Sequence, residues 1–150
     1  NETMLSHTVE VAWQLRRADA SVIRQGRETV TVEPLSSKWL EYEDFADADT
    51  FGDYIAYQMT ENGAPAASGT ALFCAPKHFR FADPQLALRV EGDEIVVTAA
   101  AYARSVQILN ADDTLKLSDN FFDMNAGETR VRILSGQPSG LRVRSVYDIR

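Results

Sequence analysis

Apolar and polar residues alternate with period two along most of the chain, the pattern of strands with one buried face. In HTVEVAWQL, Val9, Val11, Trp13 and Leu15 fall on one face, and Thr8, Glu10, Ala12 and Gln14 on the other. RETVTVEPL alternates through Val30 and Val32 and stops near Pro34. DYIAYQMTENGAPAASGTALFCA reads as two strands about a turn signalled by Asn62-Gly63. Counted to Gly69, that connection exceeds a two-residue hairpin loop, so an irregular turn is expected. LALRVEGDEIVVTAAA is a clearer hairpin: Leu86, Leu88 and Val90 share a face, Gly92-Asp93 turns, and Ile95 and Val97 return. Ala103–Leu109 is a further strand; Thr129, Val131 and Ile133 share a face, as do Leu141 and Val143.

No stretch carries a helical stripe over three turns; SKWLEYEDFAD and the Ala99–Tyr102 run come nearest. The first has six acidic residues and no basic one between Glu41 and Asp53, and reads as a loop. About eleven short strands in 150 residues predict an all-β chain of antiparallel sandwich architecture. A boundary falls in PKHFRFADP, where two prolines bracket a short apolar stretch. The expected organisation is two small sandwiches in tandem, residues 1–80 and 81–150, packed together.

Composition changes this picture mainly by exclusion. A net charge of -7 does not suit a nucleic-acid partner, which needs a basic surface. No apolar run approaches the roughly 20 residues of a membrane-spanning helix. NETMLSHTVEVAW has no basic start followed by an apolar core, as a signal peptide requires. Cys74 is the one cysteine, so neither an internal disulfide nor a thiolate cluster forms, and a reducing, cytoplasmic compartment fits.

The densest polar chemistry lies in DNFFDMNAGETRVRI, where Asp119, Asn120, Asp123, Asn125 and Glu128 crowd together. A calcium loop needs alternate acidic ligands, a central glycine and a closing glutamate, and this spacing is absent. The stretch reads as a turn at Asn125-Ala126-Gly127 leading into a strand. Phe121 or Phe122 plugs the core, and Asp119 and Asn120 bond local backbone amides. Asp47, Asp49 and Asp53, with Glu43 and Asp44, read as a solvated acidic face. No metal or cofactor is expected. No carboxylate pair is fixed by a motif as glycoside cleavage requires, and nothing near His7 or His78 supplies the oriented base of a nucleophilic triad. Trp13 lies on an apolar strand face and reads as core. Trp39, in the acidic WLEYEDF, is the candidate sugar contact.

GTALFCAPKHFRFADP, DNFFDMNAGETRVRI and LRVRSVYDI together resemble the C-terminal immunoglobulin-like β-sandwich domains of family 2 glycoside hydrolases, in the β-mannosidase branch. Asp119, Asn120, Phe122, Asp123, Gly127 and Glu128 match that family's D-N-x-F-D-x-x-P-G-E pattern, with Ala126 where proline is usual. Val143, Ser145 and Asp148 match its closing strand, V-x-S-L-x-D, with Val146 where leucine is usual. Pro76 and Lys77 match the Pro-Lys pair ending the preceding domain. The resemblance implies that the first sandwich lacks its first strands. It also implies that the parent enzyme is a retaining hydrolase of β-linked carbohydrate whose two catalytic glutamates sit in a separate barrel. Asn1-Glu2 repeats the catalytic dipeptide without that barrel, and no catalytic residue is assigned here.

The implied role is non-catalytic: packing on the catalytic barrel and other domains of the parent chain, bracing the active-site rim, and supporting oligomer contacts. Arg130 and Arg132, and Arg142 and Arg144, alternate with apolar residues. If their strands pair through Ser135–Gly140, four guanidinium groups share one face and form a docking patch. The alternative is a free-standing carbohydrate-binding or adhesion module, which an exposed aromatic row on one sheet face would favour.

Overall fold

The computed structural model describes residues 1–149 and shows eleven strands among them. These are β1 (His7–Arg17), β2 (Val22–Val32), β3 (Asp53–Glu61), β4 (Ala64–Leu72), β5 (Ala87–Glu91), β6 (Glu94–Ala99), β7 (Ala103–Leu109), β8 (Lys116–Leu117), β9 (Phe122–Met124), β10 (Gly127–Ser135) and β11 (Arg142–Arg144). A single helical turn, α1 (Val146–Ile149), follows. Every strand pair is antiparallel. The chain forms two compact units: Asn1–Arg17 with Ser21–Cys74, and Ala18–Ala20 with Ala75–Arg150.

The first unit is one four-stranded sheet in the order β2-β1-β3-β4. The alternation in β1 sets its two faces. Val9, Val11, Trp13 and Leu15 lie beside Val30 of β2 and Met59 and Ile55 of β3. The opposite face is polar between β1 and β2, where Thr8 bonds Thr31 at 2.8 Å and Gln14 bonds Gln25 at 2.9 Å, but toward β3 it carries the buried Tyr54 and Ala56, opposite Arg16 and Gln14. β3 and β4 meet through a two-residue turn, not the irregular connection expected from the sequence. Asn62 (φ 51°) and Gly63 (φ 78°) are both left-handed, as a primed hairpin turn demands. β4 therefore begins at Ala64. It is an edge strand, and an edge tolerates the missing amide of Pro65.

The second unit is a complete sandwich, with sheet β5-β6-β10-β8 facing sheet β11-β7-β9. Ile95, Val97, Val106, Ile108, Met124 and Val131 fill the space between them, each at most 4% exposed. Phe122 packs against this core, whereas Phe121 is 60% exposed. Phe79, Phe81 and Tyr102 form an aromatic cluster with centroids 4.7 to 6.1 Å apart. The expected closing strand is only partly a strand. β11 stops at Arg144, and Ser145 then caps α1. Its hydroxyl accepts the Tyr147 amide at 3.2 Å, while Asp148 Oδ2 accepts the Ser145 amide at 2.6 Å. This reciprocal exchange is that of a capping box, and the Ser-x-x-Asp spacing encodes it.

Candidate functional site

The polar stretch 119–128 turns its oxygens onto the protein backbone. Asn120 reaches across to β7: Oδ1 accepts the Ile108 amide at 2.9 Å, and Nδ2 donates to the Ile108 carbonyl at 3.1 Å. Its side-chain amide stands in for the strand residue that would continue the β7–β9 ladder after the Val106–Phe122 pair. Asp123 serves the bulge in β7. Oδ1 accepts the amide of Ser105, a residue at φ 50°, at 2.8 Å, and Oδ2 accepts the Tyr102 hydroxyl at 3.2 Å. Asp119 accepts the Asn120 amide at 2.7 Å. The local bonding expected of Asp119 is present, while the main bonds of Asn120 cross between strands. Among the described residues no group of three or more His, Cys, Asp or Glu side chains is placed to hold a metal ion.

Carboxylates of the acidic loop between β2 and β3 are also used locally. Asp44 accepts the Ala46 amide at 2.9 Å, Asp49 accepts Phe51 at 3.0 Å, and Asp53 accepts Asp49 at 2.9 Å. Arg24 ties the loop to the sheet. It donates to the Asp44 carbonyl and to Asp47 Oδ1, and its guanidinium lies 4.8 Å from the Phe45 ring centroid. Between this loop and the sheet is a hollow of about 190 Å³, walled by Val11, Trp13, Leu40, Phe45 and Ile55, with Glu28, Glu41, Glu43 and Arg27. Trp39 does not line it. Trp39 is 93% exposed and Tyr42 is 90% exposed.

One arrangement was not foreseen from the sequence: a four-residue row across the first sheet, Gly26–Trp13–Tyr57–Gly69, in register on one face. Each ring lies over the glycine of the edge strand beside it. A Cβ on Gly26 would sit 2.6 Å from Trp13 Cζ2, and one on Gly69 would sit 2.5 Å from the Tyr57 hydroxyl. Aromatic cover of glycine on an edge strand restores the contact area that the missing side chain forfeits. The available signal was a glycine in mid-strand, which marks close approach of another group.

The statement that nothing orients a histidine is corrected at His7. Its Nδ1 lies 2.6 Å from Glu61 Oε1 and its Nε2 lies 2.8 Å from Thr3 Oγ1. This is the order hydroxyl, imidazole, carboxylate. The hydroxyl is already committed to the loop before β1, however, with Asn1 Oδ1 at 2.8 Å and the Leu5 amide at 3.3 Å. Residue 61 is invisible to residue 7 in sequence; only the β1–β3 register joins them. His78 is exposed and Cys74 half-buried.

The premise of a four-arginine face is also corrected. β10 pairs with β6 and β8 while β11 pairs with β7, so the two arginine pairs lie in different sheets. Arg130 is matched within the chain, reaching Glu91 and Glu94 at 2.9 Å each. Arg89 bridges Glu91 at 2.7 Å and Glu128 at 3.0 Å. The bonds from Arg89 and then Arg130 hold the Glu91 carboxyl below the usual carboxylate range, and both guanidinium groups are shifted up. Val96, opposite both Arg89 and Arg130, is fully buried, as expected where long stems cover a strand and keep their charges in water. Arg144 donates to Gln107 at 2.8 Å. Arg132 and Arg142 have no carboxylate partner among the described residues.

Two family models match the chain: a Mannosidase Ig/CBM-like domain over residues 1–78 and an Ig-fold domain of the mannosidase type over residues 81–149. No curated protein matches it in sequence. Among solved structures, a β-D-mannosidase from Dictyoglomus thermophilum is similar over 95% of this chain and 19% of its own, with TM-score 0.72 and 12% identity. The exo-chitosanase CsxA of Amycolatopsis orientalis is similar over 97% of this chain and 24% of its own, with TM-score 0.58 and 13% identity. The chain thus spans about a fifth to a quarter of those proteins, and identity this low speaks for fold alone. With both models matched in order, and the first covering more than half of the residues, the chain belongs to the mannosidase immunoglobulin-like domain family, homologous to the C-terminal domains of family 2 β-mannosidase-type glycoside hydrolases.

Proposed function

We propose that this chain is the non-catalytic C-terminal β-sandwich region of a β-mannosidase-like retaining glycoside hydrolase, supporting the catalytic barrel and bracing its active-site rim. The observation that carries the reading is the coverage: nearly the whole chain corresponds to 19% of a β-mannosidase, across two domains in one order. Its chemistry agrees, since Asp119 and Asp123 hold backbone amides and Glu128 is paired with Arg89. Within this reading Arg132 and Arg142 are the free cations for docking on a neighbouring domain, while Arg130 is neutralised at home. The test has two arms. The purified chain is expected to leave aryl β-mannosides uncleaved, and the parent enzyme lacking these residues is expected to lose activity or solubility. Turnover by the chain that vanishes on changing one of its acids, or a fully active deletion, refutes the reading.

The exposed Trp39 and Tyr42 favour a second reading, a carbohydrate-binding surface on the first unit. Stacking on β-linked oligosaccharide would protect Trp39, so unchanged fluorescence on titration with mannan oligosaccharides removes it.

A further inference from the structure

The second unit holds one costly residue that its own core does not use. The chain leaves β8 in one sheet and enters β9 in the other through residues 118–121, and Phe121 closes that crossing at φ 65°. This left-handed backbone suits glycine or asparagine and is an outlier for a bulky side chain. Phe122 packs against the core, whereas the Phe121 ring is 60% exposed. A small or polar residue would serve the turn with less strain and less apolar surface in water. Strain of this kind persists only where the surroundings hold it, and Asn120 does so. Its Oδ1 accepts the Phe121 amide at 3.1 Å, while both ends of its side-chain amide grip Ile108 of β7.

The register shows what lies beside this ring. Phe122 is opposite Val106 and Asn120 is bonded to Ile108, so residue 121 falls level with Gln107, which is itself opposite Arg144 of β11. Val106, Ile108, Phe122 and Val143 belong to the core, so Gln107 and Arg144 point the other way. The row Arg144–Gln107–Phe121 therefore sets a cation, an amide and an aromatic ring across one sheet, and Arg142 stands opposite Leu109 two positions along. Both arginines are exposed. Arg144 donates to the neutral Gln107, and neither meets a carboxylate among the described residues. Aromatic and arginine side chains with no lysine or acid between them are the composition of an interface core.

We infer that Phe121 is a preformed anchor by which the outer face of sheet β11-β7-β9 docks on a neighbouring domain of the parent chain. The ring enters an apolar recess of that domain, and Arg142 and Arg144 meet carboxylates on its rim. The inference rests on the reading of the chain as part of a longer glycosidase and names the surface that reading uses. Charge selects the partner: a guanidinium buried without an anion is strongly unfavourable, so only an acidic rim can cover these two. Strain held in the free domain places the ring in advance and removes the ordering cost of docking.

The test reads the modification of Arg142 and Arg144 by phenylglyoxal, followed by mass spectrometry, in the 150-residue chain and in the parent enzyme. Both arginines are expected to react at least about 10-fold more slowly in the parent, as at a site open a tenth of the time or less. Phe121→Asn, which keeps a residue tolerant of the left-handed backbone, should raise both rates in the parent by about 30-fold or to those of the chain, the scale of a hot spot. Leu134→Asn, at an equally exposed apolar residue of β10, should leave them protected. In the 150-residue chain Phe121→Asn should leave the urea midpoint unchanged or raise it. Equal rates in parent and chain, protection that survives Phe121→Asn, equal effects of the two variants, or a chain that Phe121→Asn unfolds each overturn the inference. No readout here depends on glycosidase activity. Equal arginine rates beside a deletion that inactivates the parent would remove the anchor and keep the barrel-support reading; protection beside a fully active deletion would do the reverse.

Discussion

Replacing Asn120 by alanine tests whether the 119–128 stretch is structural. Three bonds vanish: Oδ1 to the Ile108 amide, Nδ2 to the Ile108 carbonyl, and Oδ1 to the Phe121 amide at 3.1 Å. The Phe121 amide is exposed and water replaces its partner. Ile108 is 4% exposed in the middle of the core, and its amide and carbonyl are left without partners. An orphaned buried backbone group costs about 1–3 kcal/mol, so two give a loss of about 2–4 kcal/mol once water finds part of the site. Asp119→Ala is the control. It removes a single bond to the adjoining exposed amide and should cost under about 1 kcal/mol. Urea titration followed by circular dichroism measures both losses, and hydrogen exchange at Ile108 shows where they arise. Exchange there should accelerate in Asn120→Ala and hold steady in Asp119→Ala. Equal losses in the two variants, or an Asn120→Ala loss under about 0.5 kcal/mol, would refute the account of Asn120 as a surrogate strand residue.

Two further outcomes follow from packing and charge. Gly26→Ala drives a Cβ to 2.6 Å from the Trp13 ring and is expected to cost about 1–3 kcal/mol by overpacking; in a Trp13→Ala background the same change should cost almost nothing, which a double-mutant cycle in urea measures. Glu91 titrates below its ordinary 4.5 because Arg89 and Arg130 hold its anion, so its contribution is present above that value and lost as pH falls through the lowered one. Glu91→Gln should therefore flatten the decline in stability between about pH 5 and pH 3, and identical slopes in wild type and variant would show the network to be idle.

Much of the fold was legible because local pattern determines which face of a strand is buried. Val9 to Leu15, the Gly92-Asp93 hairpin and the Val131 face all stand as the alternation predicts. Pattern does not determine which strand lies beside which. β10 and β11 share their alternation and follow one another, yet the chain crosses between sheets at Ser135–Gly140, so the arginine face predicted from adjacency does not exist. β4 failed differently. APAAS lacks alternation because an edge strand of small residues buries little, so its first half read as loop although Asn62-Gly63 named the turn correctly. Asn120, Asp123 and His7 are polar residues whose partners lie 12, 18 and 54 positions away, separations at which composition says nothing about geometry.

The deepest limit on reading function from this sequence is the difference between its two units. Val9, Val11, Trp13 and Leu15 and the sequence around Ile95 and Val97 make the same statement: each strand has a side that water should not reach. The hydrophobic effect responds to area removed from water, and a sequence states the demand for burial without stating whether it is met. In the second unit the demand is met within the chain, and the polar residues left over serve backbone amides and one another. In the first it is met only in part: Tyr57 is 42% exposed, and the same face carries Glu61 opposite Val9 and Glu28 opposite Val11. The two exposed aromatics of the acidic loop stand outside this demand. Trp39 and Tyr42, 93% and 90% exposed, make no demand that the chain itself answers; their rings face solvent, where a titration with mannan oligosaccharides reads any contact.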